Sequence, residues 1–553
     1  MKKKKIFKYA GMCFTLLLLM APDICVGWDD GMEILISDLA IGDTLRHEWN
    51  PDMEYNPVHN EFIVVWRTTG PLRDNCGPGD DDECTMNFQS IDGCRVLPNA
   101  ELMVDQFQLS PPEAKDKGGV EIVRNIFTNE YMLITSLSTG SSAQKDIYVG
   151  RIDSVGNLLY GFERLYESTG YALLPDLVFN TVRREYLVVY NDDDFWNNFG
   201  YKNNVGFILD EEGIPTKDPF PVGNQVGTQY APWAEHNATD GTYLVAWEDF
   251  RHAPGYWALG PDDAYGALLD GEGDMIKEIT IMEDCGLPGP KRMQMTPSIA
   301  YNPDKNEFLV AWTHSAPEYD HGCIMARIIA ADGTLIGEPF LIIEGPENQI
   351  TPAIYYIEEK KKYFIMYSDL QGWIREPGTI FMPYDIYGMW LDDSGIPITD
   401  PVAFAIKEGK QTMPKAVYNP VMDQFLITWR DMYAPDDYPD IPPDPEVPYN
   451  PLYVDHESDI RGVIYGTPSF LTCRVVDRRA GDSVGNTKVL VLGPSLPVLK
   501  ETNEYGWFNI AEDSQPVGKY LVVVLKFGLP MAIRLVDYTG EPLREAIEMT
   551  KWW

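Results

Sequence analysis

Five histidines, His47, His252, His314, His321 and His456, stand in or beside the long connecting segments of this chain. Imidazoles are the commonest metal ligands, so these are the first groups to weigh. If His252, His314 and His321 converge with an Asp or Glu, they form a divalent metal site, and a metal there can activate water or acidify a carbon acid. The same segments carry aromatic rings at Trp196, Tyr256, Trp257, Trp373, Tyr384 and Tyr433. These form the expected ligand-binding set. A sugar stacks its C–H face on an exposed ring while its hydroxyls bond to neighbouring carboxylates and amides. Acidic runs such as "GDDDE" (79–83) and "NDDDFWNN" (191–198) add carboxylates that could hold Ca²⁺, although no segment has the spacing of an EF-hand loop.

What positions these groups is a repeat. "MTPSIAYNPDKNEFLVAW" (295–312) returns as "TMPKAVYNPVMDQFLITW" (412–429). Anchored on proline, copies begin at Pro51, Pro175, Pro232, Pro297, Pro352 and Pro414, and a degenerate copy has Val120 there. Eleven residues on stands an aromatic (Phe62, Tyr131, Tyr186, Tyr243, Phe308, Tyr363, Phe425), and in six copies another follows four residues later. That makes seven copies about 55 to 70 residues apart. Each reads as two strands around an Asn-Pro turn, a third strand often opening with Asp, a tight turn such as "DGEG", and a short fourth strand.

Four antiparallel strands repeated seven times predict an all-β, seven-bladed β-propeller over residues 28–466. A β-solenoid is the competing reading. Closure is favoured because the seventh copy lacks a fourth strand, whereas "MEILISDLAIGD" (32–43) is a fourth strand without a copy of its own and can latch the last blade. In such a ring the loops after the second strand open on one face, where binding concentrates. The Asp that recurs at the head of the third strand reads as structural, because a catalytic residue is needed once.

Residues 1–27, with a basic start, an apolar run and small residues near Gly27, predict a signal peptide and an exported product at the cell surface, outside the cell or in a periplasm. An uncleaved signal anchor is the alternative. A formal charge of −40 argues against nucleic acid and anionic membranes as partners. Six cysteines follow the leader; Cys76 and Cys84 are expected to close one loop as a disulfide, and a Cys285–Cys323 bridge is conceivable. The HExxH, GxSxG, phosphate-loop and sialidase-type Asp-box patterns are absent.

From residue 467 to 553 the repeat is gone. "CRVVD" (473–477), "TKVLV" (487–491), "TNEYGWFNI" (502–510) and "VGKYLVVV" (517–524) resemble the carboxypeptidase regulatory-like domain, a small transthyretin-like β-sandwich, over about 80 residues. The resemblance implies an accessory or surface-presentation role and carries no catalytic residues. The sequence therefore predicts an exported binding or adhesion module that offers aromatic and acidic loops to a glycan or surface protein. A metal-assisted polysaccharide lyase or hydrolase is the alternative, and a structural envelope component a third.

Overall fold

The protein is described from a computed structural model covering residues 33–35, 47–71, 87–98, 107–110, 117–138, 145–168, 170–193, 202–223, 225, 227–252, 262–283, 293–315, 321–370, 374–376, 379–381, 383–406, 409–432, 458–466, 469–477, 483–493, 497–511, 518–526, 532–538 and 543–549. It is all-β, and no helix among the described residues is long and apolar enough to cross a membrane. Seven four-stranded antiparallel units stand in a ring. Their innermost strands are His47–Asn56, Lys117–Arg124, Ala172–Asn180, Gln229–His236, Met293–Asn302, Gln349–Ile357 and Lys410–Asn419. Blade 5 is typical, continuing through Glu307–Ser315, Gly322–Ala330 and Leu335–Ile343. Blade 6 adds a small hairpin, Ile374–Glu376 with Thr379–Phe381, after its second strand.

The expected latch is present. Glu33–Leu35 pairs antiparallel with Ser458–Gly466, placing Glu33 opposite Val463, and so supplies the fourth strand of blade 7. Seven apolar clusters fill the seven blade interfaces. The one between blades 7 and 1 joins Leu426 and Ile460 to Met53, Phe62, Val64 and Trp66. The second strand of each blade is covered on both sides, which is why it alternates large and small apolar residues and still has no polar face. Trp66, Trp247, Trp312 and Trp429, the recurrent aromatics, are fully buried.

The Asn of each "YNP"-type turn explains its recurrence. The Oδ1 of Asn302 accepts the amides of Asp304 and Lys305, closing the turn, and Asn56, Asn125, Asn180, Asn237 and Asn419 act alike. The Nδ2 reaches the next blade: Asn56 donates to Ser154 O (2.6 Å), Asn180 to Gly241 O (2.8 Å), Asn237 to Asn306 Oδ1 (2.8 Å). Asn419 of blade 7 donates to Asn60 Oδ1 of blade 1 at 2.9 Å, across the seam of the ring. The acidic third-to-fourth-strand turns are structural as well. Asp153, Asp210, Asp270 and Asp392 each accept two backbone amides through Oδ1.

The C-terminal module begins at Ser469, after the last propeller strand ends at Gly466. A three-stranded and a four-stranded sheet pack face to face around Val475, Phe508 and Ile510 from one and Val489, Val491, Val522 and Val524 from the other. Cys94, Cys323 and Cys473 are buried, and Cys323 is a free thiol, so the conceivable Cys285–Cys323 bridge is not formed. Cys76, Cys84 and Cys285 lie outside the described residues.

Replacing Asn419 by Ala removes two turn bonds and the seam bond together. Stability is expected to fall by about 1–3 kcal/mol. Equilibrium denaturant unfolding checks this; an unchanged midpoint would show that the seam does not need the amide.

Candidate functional site

Every innermost strand is interrupted at the same place. The pairing register slips just before the anchor position in all seven blades, as between Trp49 and Asp52 or Thr412 and Lys415. In six of them the residue before the proline is left-handed: Asn50, Leu174, Ala231, Thr296, Thr351 and Met413 have φ between 49° and 57°. The following proline has no N–H to lose from the ladder, so a bulge is tolerated there. The freed amides are taken by the preceding blade: Ala231 N donates to Asn191 Oδ1 (2.9 Å), Thr296 N to Glu248 Oε1 (2.7 Å), Thr351 N to Thr313 Oγ1 (3.0 Å).

The bulges aim the next side chain toward the axis. In blade order the residue after the anchor is Asp52, Glu121, Asp176, Trp233, Ser298, Ala353 and Lys415. Several of these also tie the ring circumferentially. Asp52 Oδ2 accepts the amide of Ile122 (2.8 Å), Asp176 Oδ2 that of Ala234 (2.6 Å) and Ser298 Oγ that of Ile354 (3.1 Å). Lys415 crosses from blade 7: its Nζ lies 3.4 Å from Asp52 Oδ1, 3.3 Å from Glu121 Oε2 and 4.7 Å from the centre of the Trp233 ring. The three charged side chains keep some contact with the channel, at 19% exposure for Lys415, 13% for Asp52 and 20% for Glu121.

Burial raises the carboxyl pKa values here, because the charged form is the one that loses water. Asp176 is pushed up to about 6. Glu121 is raised by burial and by the Asp52 and Asp176 carboxyls, against the pull of Lys415. One step lower, burial lifts Glu54 and Glu235 to about 7. Burial alone would lower Lys415, but Asp52, Glu121, Tyr355 and Asp176 together hold it well above its usual range. The channel thus contains a lysine held as a cation beside Glu121 and Asp176, whose pKa values burial raises above the usual carboxylate range.

The lower face is occupied by the sandwich. Its turn at Thr502–Trp507 is built by Asn503 Oδ1, which accepts the amides of Tyr505 and Trp507, and by Gly506 at φ 82°, where a Cβ would stand 2.5 Å from Val475 O. Trp507 Nε1 donates to Val58 O (3.1 Å) and Tyr505 OH to Asn129 Oδ1 (3.0 Å), contacts on the turns of blades 1 and 2. A cleft of about 500 Å³ beside them reaches Tyr55, Arg124, Glu359 and Pro420 of the propeller.

Among the described residues, His252, His314 and His321 are not brought together as a metal centre. His252 Nδ1 pairs with Asp263 (2.9 Å), while buried His314 meets Gln294 Oε1 (2.7 Å), which also takes the Trp312 indole N–H. His321 is half-buried, and no group of three or more His, Cys, Asp or Glu side chains suited to a metal occurs among the described residues. Tyr384 is not a loop platform but a buried residue opening a strand, with Lys410 Nζ 5.6 Å from its ring. Trp196, Tyr256, Trp257, Trp373, Tyr433 and His456 lie outside the described residues, as does the side chain of His47. The recurrent Asp at the head of the third strand is buried, at Asp146, Asp263 and Asp385, and Asp146 Oδ1 accepts the Ser168 amide (2.9 Å). The axial set was missed, and its only sequence signal is ionisable residues one and three places after the anchor.

No protein-family model matches the chain, and no curated protein matches it. Among solved structures it is similar to the β-propeller domain of the Trilobed protease from Pyrococcus furiosus, at 11% identity over 70% of this chain and 90% of that one, with a TM-score of 0.40. It is also similar to a thermostable family-43 glycoside hydrolase (11% identity, 54% and 97% covered, TM-score 0.34) and to a family-43 β-1,3-galactosidase crystallised with galactodeoxynojirimycin (13%, 62% and 98%, 0.32). Likenesses this distant leave function to be argued from the site.

Two outcomes test the axial electrostatics. Lys415→Met leaves Asp52 and Glu121 facing each other without their cation and is expected to destabilise the fold by about 2–4 kcal/mol, with partial recovery in the Lys415→Met/Glu121→Gln double variant; full stability of the single variant would refute the ion cluster. Unfolded Glu and Asp ionise near pH 4, so between about pH 4 and 7 the folded chain holds protons at Glu54, Asp176 and Glu235 that the unfolded chain has lost, and stability falls as pH rises. His236, which burial lowers to about 4, acts in the opposite sense below its unfolded value, but it opposes only one of the three carboxyls, so the net fall is expected between about pH 4 and 7. Melting curves across that range should drop and should flatten in Glu235→Gln; a flat wild-type profile would contradict the shifts.

Proposed function

We propose that the protein is an exported carbohydrate-active propeller whose working site is the upper, axial channel, and that it cleaves glycosidic bonds with carboxyl groups. The observation that carries this reading is the convergence of Asp52, Glu121 and Asp176 from three consecutive blades beside the Trp233 ring, with the Asp176 pKa at about 6. A general acid works best when its pKa lies near the operating pH. Asp176 fits that role: the Ala234 amide on Oδ2 fixes the orientation of the carboxyl. Asp52, held by Lys415 and by the Ile122 amide, is the carboxylate that would activate water or attack the sugar carbon. Trp233 supplies the apolar wall. We read the C-terminal sandwich as a carboxypeptidase regulatory-like accessory module.

A second reading, glycan binding without cleavage, is favoured by Lys415, whose ammonium compensates carboxyl charge and takes up channel space beside Trp233. One experiment separates them. A panel of neutral and acidic polysaccharides is assayed for new reducing ends and for retardation in affinity gels, with wild type, Asp176→Asn and Trp233→Ala. Cleavage that falls about 10²- to 10⁴-fold in Asp176→Asn with binding kept supports the enzyme. Binding lost in Trp233→Ala without any cleavage by wild type supports the binding module. Activity or binding indifferent to both substitutions would refute the axial site.

A further inference from the structure

The sandwich has an uncovered apolar face. Its four-stranded sheet (Val498–Glu501, Lys488–Leu492, Gly518–Leu525, Ala532–Tyr538, in spatial order) turns Val489, Val491, Val522 and Val524 into the core. The opposite face carries Leu492, Leu499, Leu525, Ile533 and Leu535, which are 36%, 61%, 44%, 54% and 60% exposed. The register sets Leu499 beside Leu490 and Leu535 beside Leu521, so the aliphatic groups form one continuous surface across all four strands. Such a surface on a chain of this charge marks a contact site.

We infer that this face is the interface of a homodimer, formed by two sandwiches packing sheet against sheet. Charge is the reason to place a second copy there. Between Ser469 and Met549 there are nine Lys and Arg against ten Asp and Glu, so almost none of the formal −40 resides in this module. A meeting of sandwiches lets two strongly acidic propellers associate at the one neutral end of each molecule, where their mutual repulsion is least. The border of the patch suits a twofold contact. Lys488 and Glu501 are paired at one end, so both signs border the aliphatic centre there, and Lys519 is exposed at the other. An isologous interface needs a patch that complements itself, with an apolar core and a charged border. Stacked sheets sit about 10 Å apart, a spacing that Leu and Ile side chains fill.

The test is sedimentation velocity on the whole protein from about 1 to 100 µM, alongside Leu499→Lys and Leu535→Lys. Both positions are well exposed, so the variants should melt like wild type, and a spectroscopic melt confirms that they fold. A dimer whose dissociation constant weakens at least about tenfold in each variant supports the inference. A monomer throughout the range, or a dimer indifferent to both substitutions, overturns it. So does a monomer that floats with phosphatidylcholine vesicles in a Leu499-dependent manner, because the face would then serve a lipid surface.

Discussion

The structure depends on side chains that reach forward to the backbone of the next blade. A propeller blade cannot bury both of its faces alone, and apolar packing between blades has no direction of its own. Direction comes from Asn, Asp, Ser and Thr groups at fixed places in the repeat: turn amides such as Asn180 on Gly241, strand carboxylates such as Asp52 on Ile122, and hydroxyls such as Ser298 on Ile354. Each fixes the height and angle of its neighbour. Repeated around the ring, they bring the first and seventh units close enough for Asn419 to meet Asn60.

This explains what the sequence could reveal. The repeat anchors, the turn asparagines and the latch are legible because they do the same job in every copy, and a job done seven times leaves a period. The axial residues are the reverse case. At the position after the anchor the blades carry Asp, Glu, Asp, Trp, Ser, Ala and Lys, so the channel consists of the places where the repeat disagrees with itself. Only the bulge before it, invisible in composition, shows that these side chains share one axis. The histidines misled for a related reason. His314 sits where four other blades have Asp (Asp192, Asp249, Asp369 and Asp431), and there it joins the local polar ladder of its own blade by bonding Gln294. Tyr384 was counted with a loop because its strand starts one residue earlier than the Asp motif implied.

Acidity has two distinct meanings in this molecule. Most surface carboxylates organise turns, as Asp210 and Asp270 do, and gain from accepting amides. In the channel, Glu121 and Asp176 are held where water is scarce, and burial raises their pKa values. One compositional bias therefore serves both a solvated exterior and a proton-holding interior, and a count of acids cannot separate them.

The docking of the sandwich has a further consequence, in time rather than in energy. The chain leaves blade 7 at Gly466 and returns through Trp507 and Tyr505 to the turns of blades 1 and 2, while residues 33–35 pin the same blade 7 from the other end. Both ends of the described chain thus hold the one seam at which the ring can part. Contacts between ends so far apart in sequence form late in folding and are absent from early partly folded states, so their loss is felt mainly as the rate of opening. A ring fastened in this way is built for slow unfolding, the property that decides how long a protein survives where no chaperone can rescue it.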